Sequence, residues 1–103
     1  LPALMQANSI QNKASRIGFD WPDLMGPLHK LDEEIAEFKQ SLQENNPEKI
    51  NSESGDLLFS LVNIFRKLDI QAEEALRKTN QKFIERFKKM ETLSQQKQNK
   101  REC

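Results

Sequence analysis

Apolar positions recur every three to four residues in four blocks, and no block alternates apolar with polar residues. That period is helical. Leu4, Ala7, Ile10, Ala14 and Ile17 mark a first helix over about residues 3–17. Gly18 follows where a glycine can take a left-handed conformation and stop it. Leu28, Leu31, Ile35, Phe38 and Leu42 mark a second helix, about 24–43, with Pro27 tolerable in its first turn. Asn45-Asn46-Pro47 breaks the pattern, and Asn46 as cap with Pro47 after it opens a third helix over 47–67. Its later part, Leu57 to Phe65, is apolar almost all round, which predicts burial on most sides. Ala72, Ala75, Leu76, Thr79, Phe83, Phe87 and Met90 mark a fourth helix over 72–91. Gln71 is a poor cap for it, and Asp69 is the alternative. The final stretch, Ser94 to Cys103, is almost wholly polar and reads as a disordered tail. The expectation is an all-α, four-helix bundle-like domain over 1–93.

Composition narrows the function. The chain has 103 residues, enough for one domain. Its 16 Lys+Arg balance 16 Asp+Glu, which argues against a nucleic-acid binder. Only 36% of residues are hydrophobic, and many of those crowd into the third helix. A single chain offers too little surface to surround that helix, so part of it is expected to face a second copy. No run approaches the roughly 18 apolar residues of a membrane span. The start lacks both a signal-peptide pattern and a Met, and reads as a piece of a longer chain. One Cys, at position 103, excludes an intramolecular disulfide and leans toward a reducing, cytoplasmic setting.

Acidic residues then supply the candidate chemistry. Glu34 and Glu37 lie three apart on the second helix, beside the Ile35/Phe38 stripe. Glu53 and Asp56 repeat that spacing on the third, and Ser60 and Asn63 continue the polar line along a greasy helix. Carboxylates at half-buried positions need a counter-charge. If the two helices are antiparallel neighbours, the pairs face one another as an oxygen cage suited to Mg²⁺ or Mn²⁺. A solvated acidic face is the plainer alternative, and it suits Asp32 to Glu37 better than Glu53 and Asp56. Gly55, between the third-helix acids, costs helix stability unless a close helix or ligand requires it.

Lys82 and Arg86, four apart beside Phe83 and Phe87, could neutralise polyphosphate oxygens or merely form a basic edge. Trp21 could plug the helix junction or stack on a base. His29 has no carboxylate at Glu-x-x-His spacing, which counts against a di-iron bundle.

Taken in order, these segments resemble the MazG-type nucleoside triphosphate pyrophosphohydrolases. Glu33-Glu34-Ile35-Ala36-Glu37 matches the family's E-E-x-x-E motif, and Glu53-Ser54-Gly55-Asp56-Leu57-Leu58-Phe59 its E-x-x-D motif and continuation. The likeness extends to Gly18-Phe19-Asp20-Trp21-Pro22, to Leu61-Val62-Asn63 and to Asn80 through Phe87. It covers about residues 3–91 and is nearest to the C-terminal catalytic half of two-domain members. The resemblance implies an all-α fold, a homodimer or dimer-based tetramer, and Mg²⁺-dependent hydrolysis of nucleoside triphosphates to monophosphate and pyrophosphate. It implies water attack at the α-phosphorus. It implies that Glu34, Glu37, Glu53 and Asp56 are metal ligands and catalytic, with Glu33 accessory. Lys82 and Arg86 are then catalytic phosphate contacts, with Asn80 a helper on the substrate side; Trp21 is placed there by its stacking chemistry. Gln71-Ala72-Glu73-Glu74 departs from the family's usual Asp-Pro-Glu-Glu, and Asn51-Ser52 lacks acids common in relatives; neither touches a motif position. Two other readings stay open: selectivity for one (d)NTP or modified nucleotide, and a non-catalytic metal-binding dimerisation module.

Overall fold

The computed structural model describes the backbone of residues 1–102 and the side chains of residues 1–98. Cys103 lies outside the described residues. Four helices follow in order: α1 (Ala3–Arg16), α2 (Met25–Glu44), α3 (Pro47–Lys67) and α4 (Ala72–Glu102). No strand occurs among the described residues, and the chain is all-α.

The helix ends follow local chemistry. After α1, Gly18 sits at φ +94°. Its N–H donates to Ser15 O at 3.1 Å, and the Phe19 N–H donates to Ala14 O at 2.9 Å. This pair of reverse bonds ties off the last turn. The same closure ends α3, but with a non-glycine residue in the left-handed position. Asp69 has φ 58°, and the Ile70 N–H donates to Phe65 O at 2.8 Å. Asp69 therefore terminates α3, where the sequence suggested it as a cap for α4. Asn45 takes the left-handed conformation after α2 (φ 53°). Its neighbour Asn46 caps α3, with Oδ1 accepting from the Glu48 and Lys49 N–H groups at 3.1 and 3.3 Å.

That two-residue link folds α3 back along α2, and α1 packs on α3. Val62, Ile64 and Ala72 are buried at the centre. Ser41 is fully buried on α2 and donates its hydroxyl to Phe38 O at 2.6 Å. The expected burial of the 57–65 run holds only in part. Ser60, Val62 and Ile64 are buried, but Leu58 and Phe59 are 55% and 45% exposed. One helix has more apolar faces than two neighbours cover.

Residues Leu1–Glu73 form one compact unit, and the chain from Glu74 onward a second. The second unit is the body of α4. It continues to Glu102 instead of ending near 91. Between Ser94 and Glu102 there is no Gly or Pro, and Gln, Lys, Arg and Glu are good helix formers. A polar composition argues against burial there, not against helix. Leu76, Phe83, Phe87 and Met90 are exposed along α4.

Candidate active site

Folding α3 back along α2 brings Glu34, Glu37 and Glu53 together. One carboxylate oxygen from each lies within 4.8 Å of the others. Glu34 is buried, Glu53 half-buried and Glu37 exposed. The 34/37 spacing puts two of the acids on one face of α2, and the short link sets the register that brings Glu53 opposite them.

The group lacks sufficient compensation from protein charges. Glu34 Oε2 and Glu53 Oε2 are buried with no hydrogen-bond partner. Lys30, one turn before Glu34, places its Nζ 3.1 Å from Glu34 Oε1 and 3.7 Å from Glu33 Oε2. The Glu34 carboxylate in turn holds the Lys30 ammonium above the usual lysine range, first by hydrogen bonding and then by charge. Glu53 has no such partner. Loss of solvent raises its carboxyl above the ordinary range, and Glu37, Asp56 and Glu34 add to the effect. Converging hard oxygen donors, two of them orphaned, with net repulsion among them, fit a divalent cation of the Mg²⁺ or Mn²⁺ type. Glu34, Glu37 and Glu53 would hold it.

Asp56 is exposed and stands outside that trio. It lines a cavity of about 380 Å³ together with Glu34, Lys30, Ser60, Asn63 and Trp21. Asp56, Ser60 and Asn63 of the polar line along α3 therefore form one wall of the cavity, and Glu34 joins it to the acidic trio. Trp21 is 45% exposed and forms an apolar wall. Its indole lies over Gly26, where a Cβ would come within 2.7 Å of the ring carbon Cδ2.

The backbone at Trp21 is held from both sides. Its N–H donates to Asp20 Oδ1 at 2.8 Å, and its carbonyl accepts from Lys67 Nζ at 2.6 Å. Asp20 also accepts from Ser15 Oγ at 2.9 Å and from Arg66 NH2 at 2.7 Å. These donors, Arg66 foremost, hold the Asp20 carboxyl far below the usual carboxylate range. Arg66 is itself braced on Asn63 Oδ1, donating from Nε and NH2 at 3.1 and 2.9 Å.

Other sequence candidates fall elsewhere. Glu33 is half-exposed and pairs with His29 at 3.2 Å. Gly55 has open space around the position a Cβ would take, so no close helix approach accounts for it. Asn80, Lys82 and Arg86 are exposed on α4, in the second unit. Lys30, Asp20 and Arg66 were not singled out from the sequence. Lys30 carried a local signal, a lysine four residues before Glu34. Arg66 and Asp20 carried none, being 46 positions apart.

Comparison with known proteins bears on the same segment. The family model described as the MazG nucleotide pyrophosphohydrolase domain matches residues 26–91. The chain is 50% identical over 93 residues to the nucleoside triphosphate pyrophosphohydrolase/pyrophosphatase MazG of Thermotoga maritima, covering 90% of this chain and 35% of that protein. It is 42% identical over 95 residues to the nucleoside triphosphate pyrophosphohydrolase of Escherichia coli K12, covering 90% of this chain and 36% of that one. A shorter match, 45% over 47 residues, links it to the uncharacterized protein YabN of Bacillus subtilis, with 46% of this chain and 10% of that protein covered. The chain thus spans about a third of the length of the first two relatives. With the matched segment containing both helices of the acidic hairpin, the chain belongs to the MazG nucleotide pyrophosphohydrolase domain family.

Proposed function

We propose that this chain hydrolyses nucleoside triphosphates to monophosphate and pyrophosphate, with Mg²⁺ as the working cation and Mn²⁺ as a substitute. The carrying observation is the trio Glu34, Glu37 and Glu53, with orphaned buried oxygens, beside a cavity that Trp21 walls. The names of the relatives support the same reaction.

A bound divalent cation would supply positive charge to the triphosphate oxygens and to the departing pyrophosphate. The chain's own residues do the rest. Glu34, Glu37 and Glu53 hold the cation, and Asp56 completes the acidic wall. Lys30 neutralises Glu34 and lines the cavity beside it. Trp21 offers a flat apolar face to the base. Lys82 and Arg86 are assigned to the substrate side on the family resemblance, as the cations that offset phosphate charge, with Asn80 as a neutral polar contact. Water attacks the α-phosphorus, and the α–β anhydride bond breaks with pyrophosphate as leaving group. The exposed apolar residues of α3 and α4 support a homodimer.

Pyrophosphate release from a panel of NTPs and dNTPs, with Mg²⁺ and with chelator, tests the reading. Release that requires the cation is expected. Glu37→Gln and Asp56→Asn should each lower turnover at least a hundredfold while circular dichroism stays unchanged. Retention of most activity in either variant would sink the site assignment.

A further inference from the structure

A second, smaller cavity of about 180 Å³ adjoins the acidic one and shares Trp21, Phe59 and Asn63 with it. Ile10, Ala14 and Phe19 add apolar walls, and Asp20 is the one charged residue of the lining, its carboxylate already accepting from Ser15, the Trp21 N–H and Arg66. Gln11 on α1 also lines it, and Gln11 is 94% buried by its 6% exposure. A polar side chain there needs an account, because burying an amide without partners is costly.

Half of that account is visible. Gln11 Nε2 donates to the Phe59 carbonyl at 2.9 Å. That bond fixes the amide's orientation, since only the nitrogen can donate to a carbonyl. The other half is open: Gln11 Oε1 is buried with no partner. Asn63 shows the complementary pattern. Its Oδ1 is taken by Arg66, so its amide nitrogen remains as a donor toward the two cavities it lines. The small cavity therefore has mostly apolar walls, a carboxylate already engaged by protein donors, one unpartnered acceptor, one available donor and an indole at its border with the acidic site. Apolar enclosure with a few placed polar groups is the usual character of a small-molecule subsite. Paired side-chain amide groups are suited to the edge of a base.

We propose that this cavity is the nucleobase subsite, with Gln11 Oε1 accepting an N–H of the base. The inference rests on the nucleotide reading above and adds the residue that recognises the base. The phosphates then extend past Trp21 toward Glu34, Glu37 and Glu53. Because an exocyclic amino group or a ring N–H satisfies Gln11 equally, the subsite accepts several bases. It discriminates against a base that has no polar hydrogen.

Trp21 is the sole tryptophan and serves as the reporter. Its fluorescence is titrated with adenosine, guanosine and purine riboside, whose base carries no N–H. The wild-type chain is expected to bind the first two about tenfold more tightly than the third, the scale of one buried acceptor left unpaired. In Gln11→Leu that gap should close. Equal affinities in the wild type, no quenching by any nucleoside, or a gap that persists in Gln11→Leu would overturn the proposal. The wild-type comparison uses no variant, so it decides even if Gln11→Leu fails to fold. Pyrophosphate release is a separate readout. A chain that shows the nucleoside gap but releases no pyrophosphate would refute the hydrolase reading and support the subsite.

Discussion

Glu53 and Asp20 are displaced in opposite directions, and each makes stability depend on pH with its own sign. Glu53 is raised by lost solvation and by Glu37, Asp56 and Glu34. An acid whose folded pKa is raised holds its proton better folded than unfolded. The metal-free chain therefore loses stability as pH rises from the ordinary glutamate value, about 4.3, through the folded one. Glu53→Gln should raise the metal-free melting temperature at neutral pH and abolish the further rise that Mg²⁺ gives the wild type. Calorimetry with and without Mg²⁺ reads both effects. Asp20 is lowered, chiefly by Arg66. Its contribution is present above the unfolded value near 4 and is lost as pH falls through the depressed folded value. Asp20→Asn should cost about 1 kcal/mol at neutral pH, discounted for its exposed loop position. It should also flatten the acid limb of the stability profile, read by denaturant titration at several pH values. The grouping of Glu34, Glu37 and Glu53 was legible because helical spacing is local information, whereas Asp56, read with them, stands outside the trio. The Asp20–Arg66 contact was not, because nothing local links residues 46 positions apart.

The helix boundaries divide along the same line. Gly18, Asn46 and Pro47 announce their roles in the sequence, because a left-handed stop and a capped start are chemical demands on single residues. The far end of α4 has no such residue, so polarity was read as disorder while the helix continues to Glu102. Two glycines inside helices show what only packing reveals. Gly26 lies beneath the Trp21 ring, and a Cβ there would reach within 2.7 Å of Cδ2. Gly26→Ala should move the indole, shift its emission and weaken nucleotide binding several-fold. Gly55 faces open space. Gly55→Ala should therefore stabilise α3 by about 1 kcal/mol, the usual helical difference between the two residues. A matched pair of urea melts separates the two cases, and a destabilised Gly55→Ala would contradict the open surroundings.

At the scale of the whole molecule, the buried apolar set is short: Val62, Ile64 and Ala72 among the described residues. Leu58, Phe59, Phe83, Phe87 and Met90 are at least 45% exposed. The crowding of apolar residues into the third helix pointed to the surplus at Leu58 and Phe59 but not to that on α4, and sequence could not say which side chains would be left uncovered. A homodimer is expected in sedimentation at micromolar concentration. Leu58→Lys should shift it toward monomer and lower the melting temperature by several degrees, and a wild-type monomer under those conditions would exclude the dimer. The clamp on the Trp21 backbone has a further effect. Lys67 and Arg66 fasten the loop between α1 and α2 to the end of α3, the helix that also carries Glu53 and Asp56. On the proposed reading, Trp21 on the base side and Glu53 on the cation side would be carried by one connected frame. Heating that breaks this tie would then loosen both together, and loss of nucleotide quenching at Trp21 and loss of the stabilisation by Mg²⁺ should share one midpoint.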